Sequence, residues 1–172
     1  MGSTRGAVRI VVAVVGVVVV AAYAALIAVN ALVLDPLAAV PGATLPQIHA
    51  RVDAAGTSVA GDVRGVVVVA AVGVVLALAA SIVGLAARLP ATVVAVMHLG
   101  VLAAGALATF QSGFWLGTDV ADTFPTHGGA HTIWSGVLYM TSLAALVAIP
   151  VVLFVATVRT RNTQRRRRLA AE

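Results

Sequence analysis

Four stretches of the chain are apolar almost without interruption, and the polar residues gather between and around them. The runs cover approximately residues 10–34, 66–87, 91–116 and 133–158, and none contains an acidic residue or an arginine. A hydrocarbon core about 30 Å thick needs about 20 residues of helix, at about 1.5 Å per residue, and each run meets that length. Valine and glycine are frequent within them, which in water would favour strands. A membrane-barrel strand, however, alternates apolar with polar positions, and these runs do not alternate. In hydrocarbon a helix also satisfies its own backbone, which overrides the modest β preference of valine. The pattern predicts an all-α integral membrane protein, a single membrane domain over residues 1–172 built as a four-helix transmembrane bundle.

The connections differ in kind. Asp35-Pro36 is expected to end the first span, because the residue before a proline is pushed out of helical geometry. The outer loop 35–65 is too long to be a mere link. Within it, Thr44-Leu45-Pro46-Gln47 has the residue types of a capping box, with proline in the first turn where its missing amide hydrogen is not needed. Leu45, Ile48 and Val52 then share one face, His49, Arg51 and Asp53 lie elsewhere, and Gly56 can terminate the helix. A short amphipathic helix is expected there, on the membrane surface or over the bundle. Spans two and three are joined only by Arg88-Leu89-Pro90, which forces an antiparallel hairpin. Small residues recur every four positions at Gly73, Ala77 and Ser81, and at Gly100, Ala104, Ala108 and Ser112, and mark faces where helices approach closely.

Composition changes the picture through its charges. Hydrophobic residues make up 61% of the 172 and charged residues 10%, with a mean hydropathy of +1.07. No water-facing surface can be made from so few charges. All the basic residues other than histidine are arginine, which points to a GC-rich bacterial source. Arg5 and Arg9 precede the first run, Arg88 lies in the tight hairpin, and Arg159, Arg161 and the arginines at 165–168 follow the fourth. With four spans these all fall on one side. The other side receives Arg51 and Arg64 together with every aspartate: Asp35, Asp53, Asp62, Asp119 and Asp122. The positive-inside rule then places both termini in the cytoplasm of a cell whose plasma membrane holds the chain. A basic segment before an apolar run also opens a secretory signal, but this run exceeds the usual 7 to 15 residues of a cleaved one, so an uncleaved span is expected. The net charge of +5 and the basic tail 159–172 read as an anchor to anionic lipid head groups, not as a nucleic-acid site. Without cysteine the chain has neither a disulfide nor a thiolate metal site.

Chemistry inside the membrane is confined to a few side chains. His98, Ser81, Asn30, Tyr23 and Gln111 are the polar groups expected within the spans. His98 and Ser81 fall at similar depth, as does Pro150, whose ring leaves the carbonyl of Leu146 without a donor. His98 is read as a structural histidine serving that carbonyl, as a proton or substrate site, or as a haem or metal ligand. With no second histidine in a span, a bis-histidine haem is excluded, and no cofactor is expected.

Between spans three and four lies a polar and aromatic island, residues 113–139, containing Asp119, Asp122, His127 and His131. Two imidazoles and two carboxylates can hold a divalent metal if the outer loop 117–132 folds them together. The plainer reading is a solvated, helix-capping loop flanked by interfacial aromatics, Phe114, Trp115 and Trp134. No nucleophile elbow, phosphate-binding glycine loop or HExxH pattern appears, so enzymatic activity is not expected. The sequence favours an accessory or scaffolding component of a membrane assembly, with a membrane-protein partner or a second copy of itself. The alternatives are a small transporter or channel using the polar residues inside the bundle, and a metal or redox site in the outer loop.

Overall fold

In the computed structural model, which describes residues 2–169, the chain is helical throughout apart from short connections. The side chains of Arg5 and of the arginines at 165–168 lie outside the described residues, and with them the expected contacts of the basic tail. The elements are α1 (Gly2–Val29), a π-helical turn (Asn30–Leu34), α2 (Asp35–Ala39), α3 (Leu45–Ala54), α4 (Val59–Ala86), α5 (Ala91–Thr123) and α6 (Ile133–Leu169). Among the described residues, four stretches are long and apolar enough to cross a membrane: Gly6–Ala39, Val59–Ala86, Ala91–Thr123 and Ile133–Asn162.

The expected stop at Asp35-Pro36 is not there. Asp35 keeps helical angles, φ −69° and ψ −45°, and its amide bonds back five residues to the carbonyl of Asn30. In a regular α-helix the proline ring would meet the carbonyl four residues earlier, and the wider π turn relieves that clash. Burial of Pro36 and Ala39 holds the extra turn in place. The chain breaks only at Pro41-Gly42, where Gly42 takes φ +86°.

α3 stands where the capping residues placed it. Gln47 Oε1 accepts from the amide of Thr44 at 2.8 Å, and the helix gives way to Gly56 at φ +94°. Ile48 and Val52 are fully buried, while Arg51 and Asp53 are exposed. These two apolar side chains join Ala39, Val59, Leu116, Val120 and Phe124 in a small core at the end of the bundle that carries the long connections, here the loop end.

That core also explains why two spans outrun their apolar runs. α4 begins seven residues before Val66, capped by Ser58 Oγ on the amide of Gly61 at 3.2 Å, because Val59 is buried in the loop-end core. α5 continues past Leu116 to Thr123 because Val120 is buried in the same core, and the residues expected to form a loop from 117 onward are helical instead. Tertiary packing overrides the weak propensity of a Gly-Thr-Asp stretch. At about 1.5 Å per residue both helices are longer than a hydrocarbon core is thick, and Asp62, before the apolar run, and Asp119, after it, lie outside the apolar lengths at the loop end.

Along their apolar lengths, α1, α4 and α5 pack on one another, and α6 packs against α5 while touching α1 at few points. The buried seam of α5 is Val94, His98, Leu102, Gly105, Thr109, Ser112, Leu116 and Val120. Two glycines set the closest approaches. A Cβ on Gly16 would come within 2.4 Å of the His98 ring, and one on Gly105 within 2.4 Å of the Tyr23 ring.

Candidate functional site

The polar residues of the bundle form three layers along its axis. Nearest the end that carries both termini, His98 is buried with 4% exposure against Gly16. Its Nδ1 faces the carbonyl of Val94 at 2.8 Å, so that nitrogen donates, and Nε2 accepts from Ser81 Oγ at 3.0 Å in the neutral ring. Ser81 Oγ also lies 3.3 Å from the carbonyl of Ala13. Three helices meet on one imidazole. The carbonyl of Leu146 plays no part: Pro150 is exposed, and the His98 face of α5 looks toward α1 and α4, away from α6.

The middle layer centres on Tyr23. Its hydroxyl lies 2.8 Å from Ser142 Oγ, 3.1 Å from Thr109 Oγ1 and 3.2 Å from the carbonyl of Leu138. Ser142 gives its own proton to the carbonyl of Leu102 at 2.8 Å, and Thr109 gives its proton to that of Gly105 at 2.9 Å. Tyr23 is therefore the donor in this cluster. Val20, Ala77 and Leu102 form an apolar core between this layer and His98. Among the described residues no polar path joins the two layers.

The third layer lies at the loop end, where α1 and the turns after it meet the start of α6. Asn30 Nδ2 donates to Ser135 Oγ at 3.1 Å, and Thr132 Oγ1 donates to Asn30 Oδ1 at 2.6 Å. Asp35 Oδ1 accepts from the amides of His131 and Thr132 at 2.7 and 3.2 Å. Those amides belong to the two residues that lead into α6, so a carboxylate from α2 ties down the approach to that helix, where it also suits the positive end of the helix dipole. His131 Nδ1 stands 3.5 Å from Asp35 Oδ2, and the His127 ring stacks on the His131 ring at 4.4 Å between centroids.

Beside this layer is a cavity of about 300 Å³ between the loop-end parts of α1, α5 and α6. Asn30, Asp35, Thr109, His131 and Ser135 give it a polar floor, and Phe110, Phe114 and Tyr139 form its apolar side.

The sequence-derived site residues are thus divided. His98, Ser81, Tyr23 and Asn30 are buried in the bundle, in separate layers, whereas Gln111 is exposed on α5. Asp119, Asp122, His127 and His131 are not gathered into one cluster, and among the described residues no group of three or more such side chains is placed to hold a metal. Asp119 lies on α5 facing Asp62. Burial, followed by the hydrogen bond and the charge of Asp119 and then the charge of Asp53, pushes the Asp62 carboxyl up from its ordinary 3.8 to about 6. Asp122 is exposed on the same helix. Asp35, Asp62, Thr109, Ser135 and Ser142 carry much of the polar architecture without having been singled out as site residues. For Ser135 and Ser142 a signal existed, since with Leu138 and Ala145 they follow the alternating 3,4 spacing of a helix seam.

The chain matches no family model, no curated protein and no solved structure.

Proposed function

We propose that the protein is a four-span component of a plasma-membrane assembly that contributes a docking helix and no reaction of its own. The observation that carries this reading is on α6. Its last buried residues are Ser142 and Ala145, and from Leu146 onward no described residue of the helix is buried. Met140, Val147, Val151 and Phe154 recur at heptad-like spacing along it and are 63%, 56%, 55% and 70% exposed. Large apolar side chains in such a row suit packing against another helix, and packing is what drives helix association in lipid.

The arginine distribution supports an orientation with both termini cytoplasmic and the loop end outside. In that orientation α3, with Ile48 and Val52 inward and Arg51 and Asp53 outward, serves as an amphipathic cover over the outer end. The transport alternative finds less support. The His98 and Tyr23 layers are each closed on themselves, with apolar side chains between them, and an ion would have to cross that dry layer.

A photo-crosslinking residue at position 154 tests the reading in native membranes, with position 82, where Ile82 is 66% exposed on α4, as the control. Position 154 is expected to give one discrete protein adduct and position 82 only lipid adducts. An adduct of twice the 17.3 kDa chain mass would identify a second copy as the partner. If position 154 also yields only lipid adducts, and the gently extracted protein runs as a monomer, the docking role is wrong.

A further inference from the structure

We propose that the loop-end cavity binds a membrane-soluble molecule with an apolar body and a small head that donates hydrogen bonds and carries no negative charge. The inference goes beyond the docking role of α6 and does not depend on it.

The shape comes first. At about 300 Å³ the cavity is at the small end of the range for ligand sites. Phe110, Phe114 and Tyr139 on its apolar side are 58%, 53% and 40% exposed, on helix faces that lipid covers in a membrane. Asn30, Thr109 and Ser135 on the floor are each less than 9% exposed. A molecule entering from the bilayer would leave its chain among the aromatic rings and bring its head to the floor.

Charge decides the head. No arginine lines the cavity, and its ionisable groups are Asp35, His131 and Tyr139. A phosphate or carboxylate would be desolvated beside the Asp35 carboxylate with no cation to offset it. A hydroxyl or amine instead finds acceptors. Both ring nitrogens of His131 are buried without a hydrogen-bond partner; Nδ1 stands 3.5 Å from Asp35 Oδ2, and in the neutral tautomer that keeps its proton on Nδ1 the ring presents Nε2 as an acceptor. A buried ring nitrogen left unpaired is costly, and a donor head would remove that cost.

The space is also not taken up by packing. Gly113 and Gly117 form part of the α5 wall, and a Cβ added to either meets nothing within 4 Å. Larger side chains there would occupy the cavity while leaving the helix contacts alone.

The full-length protein in nanodiscs of phosphatidylcholine would be exposed to dodecanol, dodecylamine and dodecanoic acid, each carrying a diazirine next to its head group. The alcohol and the amine are expected to label residues 110–117 and 135–139 saturably, and the acid about tenfold less. Gly113→Leu and Gly117→Leu are each expected to lower the labelling about tenfold at an unchanged or raised Tm. Making both keeps the test open if one misfolds. His131→Phe, which keeps the ring and loses the acceptor, is expected to lower alcohol labelling several-fold while leaving the Tm within a few degrees. Equal labelling by all three heads, labelling spread along every lipid-facing helix, or labelling indifferent to both glycine variants would overturn the proposal.

Discussion

Gly16 and Gly105 mark the two places where α1 and α5 approach so closely that a ring on one helix lies over the bare backbone of the other. Alanine at either position must displace His98 or Tyr23, both held by hydrogen bonds on more than one side. Gly16→Ala and Gly105→Ala are each expected to destabilise the bundle by about 1 to 3 kcal/mol. Gly73→Ala, where an added Cβ meets nothing, is expected to stabilise it by up to about 1 kcal/mol through helix propensity. Unfolding by sodium dodecyl sulfate titration separates the cases, and equal effects at all three positions would contradict the close-approach account. A second residue-scale prediction concerns Asp62. Its folded pKa of about 6 lies above the ordinary 3.8, so the folded state holds that proton more tightly than the unfolded chain does. The contribution to stability is full below about pH 4, is lost as pH rises through about 6, and is flat above that. The difference between wild type and Asp62→Asn should show that fall across pH 4 to 6; a flat difference would mean that the folded state does not hold the Asp62 proton above its ordinary range. The sequence identified the polar residues themselves, because a polar side chain in an apolar run is conspicuous. It could not supply their partners, since Tyr23 and Ser142, or Asp35 and His131, meet only through the packing of distant helices.

At the scale of elements, the apolar runs placed all four helices that are long and apolar enough to cross a membrane, and Thr44, Gln47 and Gly56 placed α3. The helix ends were less legible. α4 and α5 gain their extra turns from Val59 and Val120 in the loop-end core, and a hydropathy pattern cannot report that contact. The glycine-alanine series was half informative for a geometric reason. A step of four residues turns about 400° on a helix, so a strict four-residue repeat drifts about 40° per step and leaves any one face. Ala77, Ser81 and Ser112 are buried, whereas Ala104 is exposed, and the true seam of α5 mixes steps of four with steps of three. The Asp35 hydrogen bonds give a test at this scale. Asp35→Ala removes the acceptor for two amides just before α6, and about 1 kcal/mol of stability with it. Asp35→Asn keeps an acceptor oxygen and is expected to recover most of that loss. Hydrogen exchange at His131 and Thr132 should speed up in the alanine variant and not at the far end of α6. Faster exchange along the whole helix would point to general loosening instead of two lost hydrogen bonds.

For the molecule as a whole, the proposed orientation rests on where the charges stand relative to four candidate crossings. Arg9, Arg88, Arg159 and Arg161 lie at the end shared by the termini and the α4–α5 hairpin, and every aspartate lies at the other. Retention of arginine on the cytoplasmic side, near the ends of the spans, is what sets the direction of insertion, while carboxylates contribute little. Arg51 and Arg64 are the exceptions, and both are exposed beside acidic neighbours, Asp53 and Asp62. The absence of cysteine makes the arrangement directly measurable, because any introduced cysteine is the only thiol in the chain. In intact cells a membrane-impermeant maleimide should label Ala54→Cys, on the exposed side of α3, and Pro125→Cys, exposed between α5 and α6. It should reach Gly6→Cys and Asn162→Cys only after the membrane is opened. The informative comparison is between positions 6 and 162. If they label from opposite sides, the number of crossings is odd and one of the four helices does not span. If both label from outside while 54 and 125 do not, all four cross but the chain is inverted. The loop-end cavity would then face the inner leaflet, and its ligand would have to be sought there.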